Sequence, residues 1–353
     1  MALISIAVVT GLGSACSGPQ PTSSEVSIPS PSSSPSANPY WDAAPRQLVA
    51  NYGPGIGGEM ACSAGQLVFT DGPMHAVYAT SIDTFQPRPL ANVEGAIGPI
   101  SMSGSWAAFS TYTQAGDQLS PLGSWTLYLV NVISGVSVTL AAGNGVAQLS
   151  ELPYPAVGNG FVLWDELIAP GQKILLRYDL ASKTRLRVDV PSGMYPVRPS
   201  ISGQSLLFLD NSRDPGRAAE SWYSRGGEPV LMNLGTGQIS HPAPNSVVFE
   251  PLLTDARAVW WAGGSDSELV QELVLPAGEP RTLAQDTSVT RLWAGDQITI
   301  WLGGTRGAVT ARLGDRTAVV AADLTSSPGG MALCGSELYY AGPQLSLKVA
   351  NIA

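Results

Sequence analysis

Seven versions of one short stretch run through the chain, and they limit its possible folds more than any other feature. Aligned on a final aromatic or apolar residue, they read SAGQLVF to Phe69, SGSWAAF to Phe109, GNGFVLW to Trp164, SGQSLLF to Phe208, TDARAVW to Trp260, AGDQITI to Ile300 and CGSELYY to Tyr340. The spacings are 40, 55, 44, 52, 40 and 40 residues. A turn of Gly, Asn, Asp or Ser followed by consecutive apolar residues is how a buried strand starts after a tight hairpin. A repeat in the forties made of strands and turns alone is the signature of propeller blades, not of a helical solenoid. The expected fold is therefore all-β, one seven-bladed β-propeller.

Each anchor has the same surroundings. An inner strand precedes it, with the aligned apolar position at Cys62, Met102, Val157, Ile201, Leu253, Trp293 and Leu333. An outer hairpin follows, as in residues 125–143, 174–190 and 229–242, with turn signals at Ser134-Gly135, Ser182-Lys183 and Thr236-Gly237. The last repeat stops early: after CGSELYYAG only one strand's worth of sequence remains. Outer strands elsewhere read PRPLA (87–91) and PRTLA (280–284), and PRQLVA (45–50) supplies the same pattern near the N-terminus. That segment is expected to be the fourth strand of blade 7, closing the ring and removing the exposed sheet edges.

Composition agrees and excludes some functions. Only 13% of residues are charged, while Gly (39) and Pro (28) are abundant, as many short strands and turns require. With a formal net charge of −9 there is no basic stripe to displace counterions, so nucleic acid is not an expected partner. The segment GPGIGG (53–58) matches the G-x-G-x-x-G spelling, but a strand follows it, and the dinucleotide fingerprint needs a helix there. The two histidines, His75 and His241, sit beside turn residues and support neither a zinc helix motif nor a triad. No cofactor or metal is expected.

Residues 1–15 read as a signal peptide, an apolar run too short to cross a bilayer followed by small residues. The run and the following Cys16 resemble a bacterial lipoprotein signal, in which that cysteine carries the lipid. Residues 16–39 form a tether: from Ser17 to Pro39 there are nine Ser and six Pro in 23 residues, a composition that cannot bury a core. The propeller domain is expected over 40–353. Any membrane contact would come through the lipidated N-terminus alone, which implies an exported protein, on the outer face of the cell membrane or secreted.

The stretch PSISGQSLLF (199–208) and the LYLVNVISGV hairpin (127–136) are similar to the repeat of TolB-type bacterial propellers. This resemblance implies an extracytoplasmic propeller with a binding or scaffolding role, and its repeats carry no catalytic residues. The function expected is an exported, lipid-anchored propeller that binds or scaffolds a protein or glycan partner without catalysis. The alternative is a carbohydrate-active hydrolase or lyase using carboxylates on the loop face.

Candidate site residues follow from blade geometry. Inner strands begin on the face that also carries the loops between second and third strands. Ten residues before the anchors, at the mouth of the channel, stand Glu59, Tyr154, Arg198, Glu250 and Thr290, with Arg291 one step further in. Such a ring in a concave opening is either a ligand site or a set of groups that pair with one another. Long insertions at 110–124, 165–172 and 210–228 fall on the same side. Asp165-Glu166 and Asp210 to Asp214 are expected in loops. Trp222 and Tyr223, in the last insertion, serve either to stack on a sugar or protein partner or to anchor their loop. Cys62 and Cys334 take adjacent positions of the inner-strand frame in blades 1 and 7, neighbours only in a closed ring. If bonded, they would close a loop worth about 5 kcal/mol by chain-entropy arithmetic; otherwise they are two small buried thiols.

Overall fold

A computed structural model describes residues 46–49, 58–93, 95–114, 122–144, 152–169, 171–213, 226–263, 268–276, 278–286, 288–303, 308–321, 330–342 and 346–352. Signal, tether, Cys16, residues 53–57 of the glycine-rich segment, and the Trp222-Tyr223 pair lie outside them. The described residues form seven four-stranded antiparallel sheets. The inner strands are Met60–Ser63, Ala96–Ser103, Pro155–Gly158, Pro196–Ser202, Val248–Leu253, Arg291–Ala294 and Met331–Cys334. Each lies against the next, and the seventh lies against the first, so the ring is closed.

Closure uses both ends of the chain. Arg46–Val49 pairs antiparallel with Ser346–Asn351, with Arg46 opposite Val349 and Val49 opposite Leu347. It is the fourth strand of blade 7, as the PRQLVA pattern predicts. Cys62 and Cys334 join blade 1 to blade 7 in a disulfide with a Cα–Cα distance of 5.6 Å. The bond encloses nearly the whole ring, since the two residues are 272 apart in sequence.

The core is seven separate clusters, one in each gap between adjacent blades. In six repeats the anchor is the fourth residue of the second strand and packs against the preceding blade. Phe69 meets Tyr339 of blade 7, Phe208 meets Phe161 of blade 3, and Trp260 packs in the cluster of Leu207 and Leu209 of blade 4. Blade 6 departs from the repeat as aligned by sequence. Its second strand starts at Ile298, so the fourth residue is Trp301, which packs with Val259 of blade 5. Ile300 faces blade 7 instead. Alternation along a strand permits only one of the two to face the preceding blade. The anchor of blade 6 is therefore Trp301, and the matching inner-strand residue is Ala294, not Trp293. The three anchor indoles, fully buried or nearly so, each find an acceptor: Trp164 donates to Glu166 at 2.9 Å, Trp260 to Gln271 at 3.0 Å and Trp301 to Asp286 at 2.7 Å.

The outer hairpins turn as their sequences suggest. Asn131, Asp179 and Asn233 each accept backbone N–H groups two and three residues ahead through the side-chain oxygen. Gly135, Lys183 and Gly237 then take the left-handed conformation, with φ of +75°, +56° and +72°. These short turns lie on the face opposite the mouth.

The described residues of two of the expected insertions belong to paired strands. The second strand of blade 3 runs from Phe161 to Ala169 and pairs directly with Gln172–Asp179. Asp165 and Glu166 therefore sit inside a sheet. Asp165 is buried, forms an ion pair with Lys173 at 2.5 Å, and accepts the backbone N–H of Tyr154 at 2.6 Å. Glu166 is held by Trp164 and by Arg185 at 2.7 Å. Neither is a solvated loop acid. In blade 2, Thr111 opposite Thr126 and Gln114 opposite Leu122 extend the hairpin in the same way. Asp210 ends its strand and accepts from Tyr195 and Ser212.

Two outcomes are expected. Removing residues 40–50 should abolish cooperative thermal unfolding or cause aggregation, while removing 17–39 should leave the melting curve unchanged; an unaltered melt after the first deletion would refute closure by that strand. Asp165→Asn should cost roughly 3–5 kcal/mol in urea unfolding because Lys173 is left buried without its counter-charge, and replacing both residues by Leu and Met should recover most of that loss.

Candidate functional site

Once the blade 6 frame is moved by one residue, Arg291 and not Thr290 stands ten positions before its anchor. Thr290 donates its backbone N–H to Leu302 at 2.9 Å and does not line the opening. The ring position is then Glu59, Pro99, Tyr154, Arg198, Glu250, Arg291 and Gly330 in blade order. Backbone bonds confirm the equivalence of its ends. Glu59 O accepts from Thr70 and Gly330 O from Ala341, each at 3.1 Å.

The side chains of Glu59, Tyr154, Arg198, Glu250 and Arg291 line a cavity of about 320 Å³ at the axis of the ring. Arg198 contacts Glu250 at 3.5 Å and lies over the Tyr154 ring, 5.4 Å from its centroid. Arg291 of blade 6 reaches Glu59 of blade 1 at 3.0 Å. Glu250 also accepts the N–H of Leu292 at 2.9 Å. Arg198 and Glu59 are almost fully buried, whereas Arg291 keeps 30% of its side chain exposed.

Local structure explains how two of these residues point inward. The inner strands of blades 4 and 5 are bulged between Val197 and Ser200 and between Phe249 and Leu252. Arg198 and Glu250 occupy the bulges with φ of +53° and +47°. A left-handed conformation costs a non-glycine residue roughly 1–2 kcal/mol, and bulges of this kind re-aim a side chain. A proline follows each, at Pro199 and Pro251, and also follows Tyr154 at Pro155. Inner strands face the channel with an unpaired edge, where a residue without an N–H leaves no donor to satisfy. Other edge donors are met from the preceding blade: Val157 by Ser101 and Leu253 by Ser200, each at 2.9 Å.

Electrostatics tie the ring into one network. Burial raises the Tyr154 phenol to about 12; Arg198 and Arg291 pull against this, and Glu250 and Glu59 add to it. Burial also raises the Glu250 carboxyl, outweighing Arg198, Arg291 and the Leu292 N–H. For Arg291 burial opposes the charge, but Glu59, Glu250 and Tyr154 overcome it and the pKa rises. Tyr112, which sequence reasoning missed, joins this edge: burial first, then Glu59, raises its phenol. Its signal was its place three residues beyond the Phe109 anchor, in a hairpin that reads as a loop.

The other candidates lie apart. His241 pairs with Glu228 at 2.7 Å at the base of the blade 4 insertion, beside Arg213. His75 is exposed in the turn after Asp71, which accepts its N–H. Among the described residues no cluster of three or more His, Cys, Asp or Glu is placed to hold a metal.

Tyr154 carries a testable consequence. Above pH 10 the phenol of the unfolded chain loses its proton while the folded one keeps it to about 12, so stability must fall as pH rises through this window. Tyr154→Phe should flatten that alkaline limb in urea titrations at pH 9 to 12. An unchanged slope would contradict the buried phenol.

No protein-family model matches the chain, and no curated protein sequence matches it either. Solved structures do. A chain of the mitotic checkpoint complex is 12% identical with a TM-score of 0.59, over 92% of this chain and 97% of that one. A catalytically inactive virginiamycin B lyase from Staphylococcus aureus, solved with quinupristin, is 12% identical with a TM-score of 0.57, over 88% of this chain and 99% of that one. TolB from Acinetobacter baumannii is 14% identical with a TM-score of 0.48, over 72% of this chain and 63% of TolB. At such identities the likeness is one of fold: this chain is a seven-bladed β-propeller, and TolB is among its structural neighbours.

Proposed function

We propose that the chain is an exported binding propeller, held at the outer face of a membrane through a lipid on Cys16, whose ligand group enters the channel mouth without being chemically changed. The observation that carries this reading is the pair of left-handed bulge residues, Arg198 and Glu250. Both adopt a costly backbone conformation and both aim a charged side chain into the same cavity. Strain of this kind persists at binding sites because it pre-organises them. The group is presented by a protein or glycan partner, in keeping with the protein complex in which one neighbour of similar fold was solved. Membrane attachment and export rest on the N-terminal sequence.

Catalysis by paired carboxylates is less well supported. Asp165 is neutralised inside a sheet by Lys173, and Glu59 and Glu250 each face an arginine. The test uses labelled full-length protein on glycan and peptide arrays. Arg198→Ala with Glu250→Ala should lower binding at least tenfold, while Lys183→Ala with Thr236→Ala, in turns of the opposite face, should leave it unchanged. Equal loss from both pairs, or loss only from the second, would place the working face elsewhere. Polysaccharide turnover that disappears in Glu250→Gln would replace binding by the hydrolase or lyase reading.

A further inference from the structure

The mouth selects by charge balance as well as by shape. Its four charged groups, Glu59, Glu250, Arg198 and Arg291, sum to zero and are largely withdrawn from water. A ligand bearing a single charge would compete for one partner of each pair and leave an unbalanced charge in a poorly solvated site, which is costly. A ligand carrying both signs inserts without changing the total. Its anionic end meets Arg198 and Arg291, and its cationic end meets Glu250 and Glu59. The neutral Tyr154 phenol adds a hydrogen-bond donor.

Below the charged ring the walls change character. The cavity continues between Met60, Ile100, Ile201, Leu252, Trp293 and Leu333. At about 320 Å³ it stands at the small end of ligand pockets, near the lower limit of roughly 300 Å³. The space therefore suits one apolar side chain beneath a compact polar head better than a run of sugars.

Resting on the reading of the mouth as a ligand site, with a free small molecule in place of a partner-borne group, we infer that what it takes is a zwitterion with one apolar side chain, a free α-amino acid whose ammonium and carboxylate engage the ring while its side chain enters the channel. Titration calorimetry of the full chain would compare L-leucine with 4-methylpentanoate, which lacks the ammonium, and 3-methylbutylamine, which lacks the carboxylate. Glycine lacks the apolar group, and cellobiose is a neutral glycan. L-Leucine should bind at least tenfold more tightly than each of the other four. Arg198→Gln with Glu250→Gln should weaken it tenfold or more while unfolding stays cooperative. If the double variant does not fold, Glu250→Gln alone carries the comparison, since it keeps an acceptor for the Leu292 N–H. Binding of either single-ended analogue as tight as that of leucine, or leucine binding that survives the substitutions, would overturn the inference. Cellobiose bound in place of leucine and lost in the double variant would overturn the amino-acid class and keep the mouth as the site. No binding of any of these probes, together with unchanged array binding by the Arg198 and Glu250 variants, would overturn both.

Discussion

Each of the seven sheets is apolar on both faces, and a four-stranded sheet cannot hide two faces by itself. A closed ring hides both, because every sheet lends one face to each neighbour. The seven inter-blade clusters are this arrangement in residues, with the anchors Phe69, Phe109, Trp164, Phe208, Trp260, Trp301 and Tyr340 each packed on the blade before. An arc would leave two sheet faces in water, so closure is the constraint on which the rest depends. The fold meets it by pairing Arg46–Val49 with Ser346–Asn351 inside blade 7 and by the Cys62–Cys334 bond from blade 7 to blade 1. The seam between blades 7 and 1 is therefore joined by a covalent bond and by the cluster that holds Phe69 and Tyr339, while strand pairing completes blade 7.

Closure also creates the site. Seven inner strands meet around an axis with no strand beyond them, so each presents an unpaired edge to the channel. The chain handles that edge in three ways: a proline after the mouth residue, a serine hydroxyl from the preceding blade, or, in blade 6, the carboxylate of Glu250 on the Leu292 N–H. The same few residues hold blades in register and form the opening. Glu250 is the clearest case, since it binds a backbone donor of the next blade and a guanidinium of the previous one.

The polar ring gains its properties from being shared. Arg198, Glu250 and Tyr154 come from consecutive blades, while Arg291 of blade 6 meets Glu59 of blade 1. Burial holds the Tyr154 phenol protonated and makes the Glu250 carboxyl easier to protonate, against the pull of two arginines. Charges of both signs thus stand together in a poorly solvated opening, where they balance one another. The opposite face, with its Asn and Asp turns, offers no comparable convergence among the described residues.

The repeat of a small-residue turn and apolar run, read along the chain, determined the seven blades, the identity of six anchors, the strand that seals blade 7 and the placing of Cys62 beside Cys334. These are consequences of period and alternation, and both are local properties of sequence. Four ring residues, Glu59, Tyr154, Arg198 and Glu250, were legible for the same reason, as a fixed offset from each anchor, with Arg291 one step out of that frame. What the tertiary structure decided is where that offset bends. Ile300 and Trp301 are equally apolar on paper, and only packing against blade 5 shows that the indole is the anchor, which moves Arg291 into the ring. Asp165 reads as a loop acid until strand pairing brings Lys173, opposite Leu167, diagonally within reach of its carboxylate. The meeting of Arg291 with Glu59, 232 residues apart, exists only because the ring closes. Contacts between blades depend on which face a side chain takes and on which blade comes to lie beside it, and no single strand carries that information.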